Sequence, residues 1–315
     1  PYELWRVPLE GGEPILLPVK GHRSLQPSCA KGRGALVFVD RTLNTDLMLG
    51  TMEGEEDPAP VAPSTRIESG GRFSPDGSRI LFVSERSGTN ELWVVDKADG
   101  KVRPLTEEAG DALRKPRWSP DGRRIAFNVA RQGLLQIVVV DADSGLQRQV
   151  TPGDGHYRLG HWSADGQWIF YSREKGPDWQ IAKVRLDGSG AADVATDGCL
   201  SLFEQPDGTL FFFKETAEGI FRLDPLGTQD IAVQPDDVYD TLNLEMTPDG
   251  YWFARLVDGR AHLSFFHLND GTMTDHALLP GNPTGEFHVD PAGTAFLYTA
   301  ISESGTDLVI VPELP

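Results

Sequence analysis

"FSPDGSRILFV" runs from Phe73 to Val83 and "WSPDGRRIAFN" from Trp118 to Asn128, one phrase written twice 45 residues apart. With its glycine as a ruler, copies end at Gly32, Gly77, Gly122, Gly166, Gly208, Gly250 and Gly293, at intervals of 45, 45, 44, 42, 42 and 43. A period in this range signals a repeat architecture. The wording drifts through CAKG, SPDG, SPDG, SADG, QPDG, TPDG and DPAG, and the spacing carries the weaker copies.

Each phrase specifies a turn. Proline presets φ for a type I turn, aspartate tolerates the next position, and glycine takes the left-handed conformation at the exit. Behind the turn come continuous apolar runs such as "ILFV" from Ile80 and "IAF" from Ile125, the pattern of strands buried on both faces. Fourteen residues after the glycine stands another strand: "ELWVVD" from Glu91, "QIVVVD" from Gln136, "QIAKVR" from Gln180 and "DLVIVP" from Asp307. A polar turn and a fourth strand follow. One repeat is thus a four-stranded antiparallel blade. The expected fold is all-β, a seven-bladed β-propeller forming one domain over 1–315. Its repeats fall near 26–65, 70–107, 115–152, 159–196, 199–235, 243–280 and 284–315, with 13–18 as the outermost strand closing the last blade. Such closure hides strand edges that otherwise invite aggregation. "ELWRVP" from Glu3 is surplus to this count. The start lacks Met and a signal-peptide pattern, and is expected to be trimmed.

A net charge of −18 makes a nucleic-acid surface improbable, because phosphate backbones are repelled. No apolar run approaches a membrane span; the longest is "LLQIVVV" from Leu134.

The stretches "RFSPDGSRILFVSERSGTNELWVVDKADGKVRPLT", "PRWSPDGRRIAFNVARQGLLQIVVVDADSGLQRQVT" and "HWSADGQWIFYSREKGPDWQIAKVRLDGSG" resemble TolB-type propeller repeats. The ending "VDPAGTAFLYTAISESGTDLVIVPEL" is similar to the C-terminus of bacterial CadC-like winged-helix transcriptional regulators. The resemblance implies a sensing or partner-binding portion of a longer regulator. It implies a periplasmic location if that regulator is membrane-anchored, and a cytoplasmic one otherwise.

The chain has no G-x-S-x-G, no H-E-x-x-H, no P-loop and no dinucleotide fingerprint. His156 and His161 are an odd number apart, as are His262 and His267, which on a strand sets each pair on opposite faces. No metal or other cofactor and no catalytic residue are expected. Cys29 and Cys199, on innermost strands across the seven-bladed ring, are expected as free thiols.

The position five residues before each turn glycine reads Pro27, Arg72, Arg117, His161, Phe203, Glu245 and His288. Repeat symmetry sets these at one height by the central channel. Five titratable groups in an otherwise apolar strand read either as a polar collar for a ligand or a partner's tail, or as a network of mutual ion pairs. Long loops on the face opposite the repeated turns offer His156, Tyr157, Arg158 and Tyr239, residue types that recur at interfaces. The functional expectation is a non-enzymatic, monomeric propeller that takes a protein partner or small molecule at the loop-rich face or channel mouth. The alternative is a small-ligand enzyme, such as a protein like the oligogalacturonate lyases, working in the collar.

Overall fold

The computed structural model describes residues 5–6, 12–16, 24–29, 36–54, 57–107, 111–176, 178–195, 199–214, 219–227, 229–233 and 244–311. The chain divides into two compact units, one of Asp46–Ala300 and one of Pro1–Thr45 with Ile301–Pro315.

The unit Asp46–Ala300 is a propeller of six blades, which corrects the expected seven. Blade one pairs Glu68–Phe73, Arg79–Ser84, Glu91–Asp96 and Val102–Pro104 in sequence order. Blades two to five repeat that meander from Asp111–Trp118, Tyr157–Trp162, Cys199–Glu204 and Glu245–Met246 as innermost strands. The sixth blade is composite. Its first two strands are Pro283–Val289 and residues 295–300, and its outer two are residues 46–51 and Ala59–Pro60.

Two long strands explain the lost blade. Leu36–Thr51 and Ala295–Val311 each run straight through a stretch that the repeat period marks as a hairpin. From Leu36 to Leu49 there is neither glycine nor proline, and Thr42 and Thr45 flank Leu43 and Asn44 with β-branched side chains, so the segment lacks the glycine that most favours a tight hairpin. The last repeat's first half therefore meets the first repeat's second half, and two partial repeats make one blade. Of the stretch expected to close the last blade, Ile15–Leu16 pairs with Trp5–Arg6 in a two-stranded ribbon, and residues 17–18 lie outside the described residues. The other unit contains that ribbon, the antiparallel pairing of Ser24 to Cys29 with Asp40 to Leu36, and residues 301–311.

Six apolar clusters fill the six blade interfaces. Ile80 and Phe82 face blade six beside Leu47 and Leu297, while Leu81 and Val83 face blade two beside Ile125 and Phe127. Successive side chains on a strand point to opposite faces, so a blade held between two neighbours requires both sets to be apolar. The remaining interfaces centre on Trp162, Phe212, Phe253 and Tyr298. Gly77, Gly122, Gly166, Gly208 and Gly293 take φ between 67° and 85°, as the turn phrase requires. Gly250 departs from that reading. It opens a strand across a tighter turn in which Thr247 N donates to Gly250 O at 2.8 Å. Among the described residues no helix is long and apolar enough to cross a membrane.

Candidate functional site

Each turn phrase is stiffened from within. Ser74 Oγ donates to Asp76 Oδ1 at 2.5 Å and accepts from Arg79 N at 2.9 Å; Ser119 with Asp121 and Ser163 with Asp165 repeat the contact at 2.6 Å. The Ser74 hydroxyl and the Ser78 amide hold the Asp76 carboxyl down to about 2. These rigid turns fix the ends of the innermost strands, where the collar residues stand.

Six collar positions meet at the axis of the propeller, one from each blade: Arg72, Arg117, His161, Phe203, Glu245 and His288. Glu245 Oε2 lies 3.7 Å from Arg72 Nη1 and 3.6 Å from Arg117 Nη1, and its Oε1 lies 3.5 Å from His288 Nε2. His288 Nδ1 accepts from Phe73 N at 3.2 Å, so the neutral ring carries its proton on Nε2, toward Glu245. His161 Nδ1 stands 2.9 Å from Trp162 O, which makes it the protonated nitrogen and leaves Nε2 an acceptor. Burial by itself raises the Glu245 carboxyl, but His288, Arg72 and Arg117 outweigh it and bring it to about 2. Burial dominates at His288, which falls to about 3 although Glu245 opposes the shift. Burial and then Arg117 push His161 below the ordinary histidine range. The floor therefore holds two guanidinium charges against one carboxylate and two neutral imidazoles.

Hydrogen bonding on this floor is incomplete. Arg72 Nη1 donates to Phe287 O at 2.6 Å, but Arg72 Nε and both Nε and Nη1 of Arg117 are buried with no hydrogen-bond partner among the described residues. Unsatisfied buried donors cost about 1–3 kcal/mol each, more when charged. Above the floor the cavity opens toward the repeated turns, with a volume of about 390 Å³. Its mouth is a ring of turn residues, Pro75, Pro120, Ala164, Pro206, Pro248 and Pro291. Trp118 and Trp162 line the wall between. Their indoles donate to the collar carbonyls of the preceding blades, Trp118 Nε1 to Arg72 O at 3.4 Å and Trp162 Nε1 to Arg117 O at 3.0 Å.

The loop residues lie apart from this cavity. His156 Nδ1 accepts from Leu135 N at 3.2 Å, Tyr157 is buried with its hydroxyl 3.0 Å from Asp154, and the Arg158 guanidinium stacks 3.8 Å over Trp179. Tyr239 and the side chains of Pro27, Cys29 and Cys199 lie outside the described residues. Among the described residues no group of three His, Cys, Asp or Glu is placed to hold a metal ion.

Sequence reasoning missed two residues. Ala164 stands where the other five blades have proline, and its amide donates to Glu204 Oε2 at 2.8 Å, a bond proline cannot make. A second cavity of about 540 Å³ begins there and runs between blades three and four past Trp168, Phe170 and Lys183. The signal was present in the fourth phrase, which reads SADG where the two before it read SPDG.

Three solved structures share the fold at identities too low to carry more than the fold. TolB from Acinetobacter baumannii matches at TM-score 0.56 and 15% identity over 85% of this chain and 65% of that one. A puromycin-hydrolyzing peptidase of Mycobacterium tuberculosis matches at TM-score 0.58 and 16% identity over 88% and 52%. An oligogalacturonate lyase in complex with manganese matches at TM-score 0.50 and 12% identity over 87% and 78%. The chain thus spans less than two thirds of the TolB it matches. None of the curated proteins compared with it matches. The description "TolB beta propeller domain" matches residues 2–230, close to three quarters of the sequence and including four of the six innermost strands. With that match over the same repeats that build the blades, the chain belongs to the TolB beta propeller domain family.

Proposed function

We propose that the domain is a non-catalytic sensing or protein-interaction module of a larger bacterial transcriptional regulator, and that its binding site is the axial cavity. The observation that carries the binding reading is the convergence of one side chain from every blade on a cavity whose arginine donors are incompletely bonded. Binding is favoured over acid–base chemistry because a general acid or base works best near the operating pH. Glu245 at about 2 and His288 at about 3 stand far from neutrality. The regulator context rests on the likeness of the C-terminal stretch to CadC-like proteins. An upstream winged-helix segment in the same reading frame is its expected correlate, and a frame without one overturns it.

Site-specific photo-crosslinking tests the cavity. A crosslinker placed at Ala164 in the producing cell is expected to capture the ligand or partner, read as an adduct by intact mass. One at exposed Leu146, an outer-turn residue, is expected to capture nothing. Capture at Leu146 alone, or at neither position, refutes this site.

A further inference from the structure

A contact between neighbouring turns bridges several blade junctions; it is absent between blades three and four, as it also is at Gly293 of blade six, which has nothing within 4 Å. Between blades one and two, Pro75 Cδ comes within 3.6 Å of the position a Cβ on Gly122 would take, and Arg79 Nη2 donates to Gly122 O at 3.0 Å. Pro291 and Pro120 approach Gly77 and Gly166 in the same way, at 3.9 and 3.5 Å. Between blades three and four the corresponding residues are Ala164 and Trp168. Nothing from the Ala164 turn approaches Gly208, whose nearest neighbour is Pro225. The axial cavity and the outer groove share Ser163, Ala164, Glu204 and Pro206 as a common wall. A molecule seated on the axis can therefore extend outward past Ala164 along Trp168 and Phe170.

We infer that the joined cavity takes a small organic acid with one carboxylate and an extended apolar tail, the carboxylate on Arg117 and the tail passing Ala164 into the groove between blades three and four. This deepens the binding reading above and rests on it. A carboxylate answers the excess charge of the floor, two guanidinium groups against the single carboxylate of Glu245, by a charge-assisted contact with the part of Arg117 that lines the cavity. Charge also limits the ligand to a single negative group. Glu245 already occupies the floor, Glu204 stands at the rim on Ala164 N, and Glu286 lies below, its Oε2 accepting from Gly70 N at 2.9 Å. A second anionic group on the floor or at the rim would meet one of these carboxylates. The apolar tail answers Ala164, Trp168, Phe170 and Pro206 of the groove, whose lining also carries Asp165, Lys183 and Gln205, and the spaces of about 390 and 540 Å³ suit one small molecule.

Calorimetric titration of the whole domain with octanoate, octanamide and propanoate tests this. Octanoate is expected to bind about tenfold more tightly than octanamide. Arg117→Met is expected to erase that preference and Arg117→Lys to keep part of it, with thermal unfolding followed in both to confirm folding. Ala164→Pro restores the residue of the other turns, and is expected to abolish the advantage of octanoate over propanoate while leaving propanoate unchanged. Equal binding of octanoate and octanamide, binding of neither, or an acid preference that survives Arg117→Met overturns the inference. An adduct at Ala164 in cells together with no octanoate binding overturns the ligand class alone. Absence of the adduct overturns the site on which it rests.

Discussion

The junction of blades one and two and the junction of blades three and four are built from the same strands in the same order. They differ in two residues of a turn. At the first, Pro75 and Arg79 reach across to Gly122, and the Arg79 guanidinium also lies 4.9 Å over the Trp118 ring. At the second, Ala164 and Trp168 occupy those places, Lys183 stacks 4.8 Å over the Trp168 ring within its own blade, and the neighbouring turn is left uncovered. The interior of both junctions is equally dry, with Phe127 and Phe212 fully buried. A propeller blade thus has two separable parts. Apolar faces hold the ring together, and turn residues decide whether the gap above them is open.

The largest effect separates these parts. Trp162→Ala removes a buried indole and its bond to Arg117 O, and is expected to cost about 3–5 kcal/mol in urea unfolding. Trp168→Ala, on the groove side and only half-buried, is expected to cost clearly less. Comparable losses would mean that the groove is part of the core.

Acid titration probes the floor. His288 is ordinarily near 6.5 and is held at about 3 in the fold, so the unfolded chain takes up the proton first. Stability is full above the ordinary value and falls as the pH drops toward 3, by roughly 3 kcal/mol between pH 7 and pH 4. Glu245 adds a lower limb: its contribution is complete above 4.5 and lost as the pH falls toward 2. In His288→Asn the upper limb is expected to flatten and the lower to shrink without vanishing, because Arg72 and Arg117 still hold Glu245 down. An unchanged profile between pH 7 and pH 4 would show that His288 is not held neutral by the floor.

The turns give the smallest effects. Gly77→Ala and Gly122→Ala each place a side chain at φ near 70° and are expected to cost about 1 kcal/mol. Pro75→Ala together with Arg79→Met is expected to change stability by less than about 1 kcal/mol while speeding amide exchange at Ser119, Asp121, Gly122 and Arg123. Equal exchange before and after would show that these two residues do not close the first junction.

The repeated phrase and the two-sided apolar strands made the propeller legible, and the equal spacing of Arg72, Arg117, His161, Glu245 and His288 before their glycines set them at one height. Their convergence on Glu245 was not legible, because pairing across an axis depends on how many blades surround it. The blade count failed for a related reason. A ruler laid on turn glycines assigns each strand to its own repeat, whereas residues 46–51 join the last repeat's strands and continue a strand that has neither glycine nor proline from Leu36 to Leu49. Ala164 was visible as a letter, but its effect lies at Gly208 of the next blade, and the period gives the spacing of the two turns without saying whether one reaches the other.

The sequence by itself determined the local elements: the turn, the strand buried on both faces, and the residue type presented at each height, because these follow from φ preferences and a two-residue side-chain period. Tertiary structure alone decided the number of blades, the partners of each charge and the open gap between blades three and four. Those depend on which distant segments share a sheet or a junction, and that is settled by packing the whole ring rather than by any one repeat.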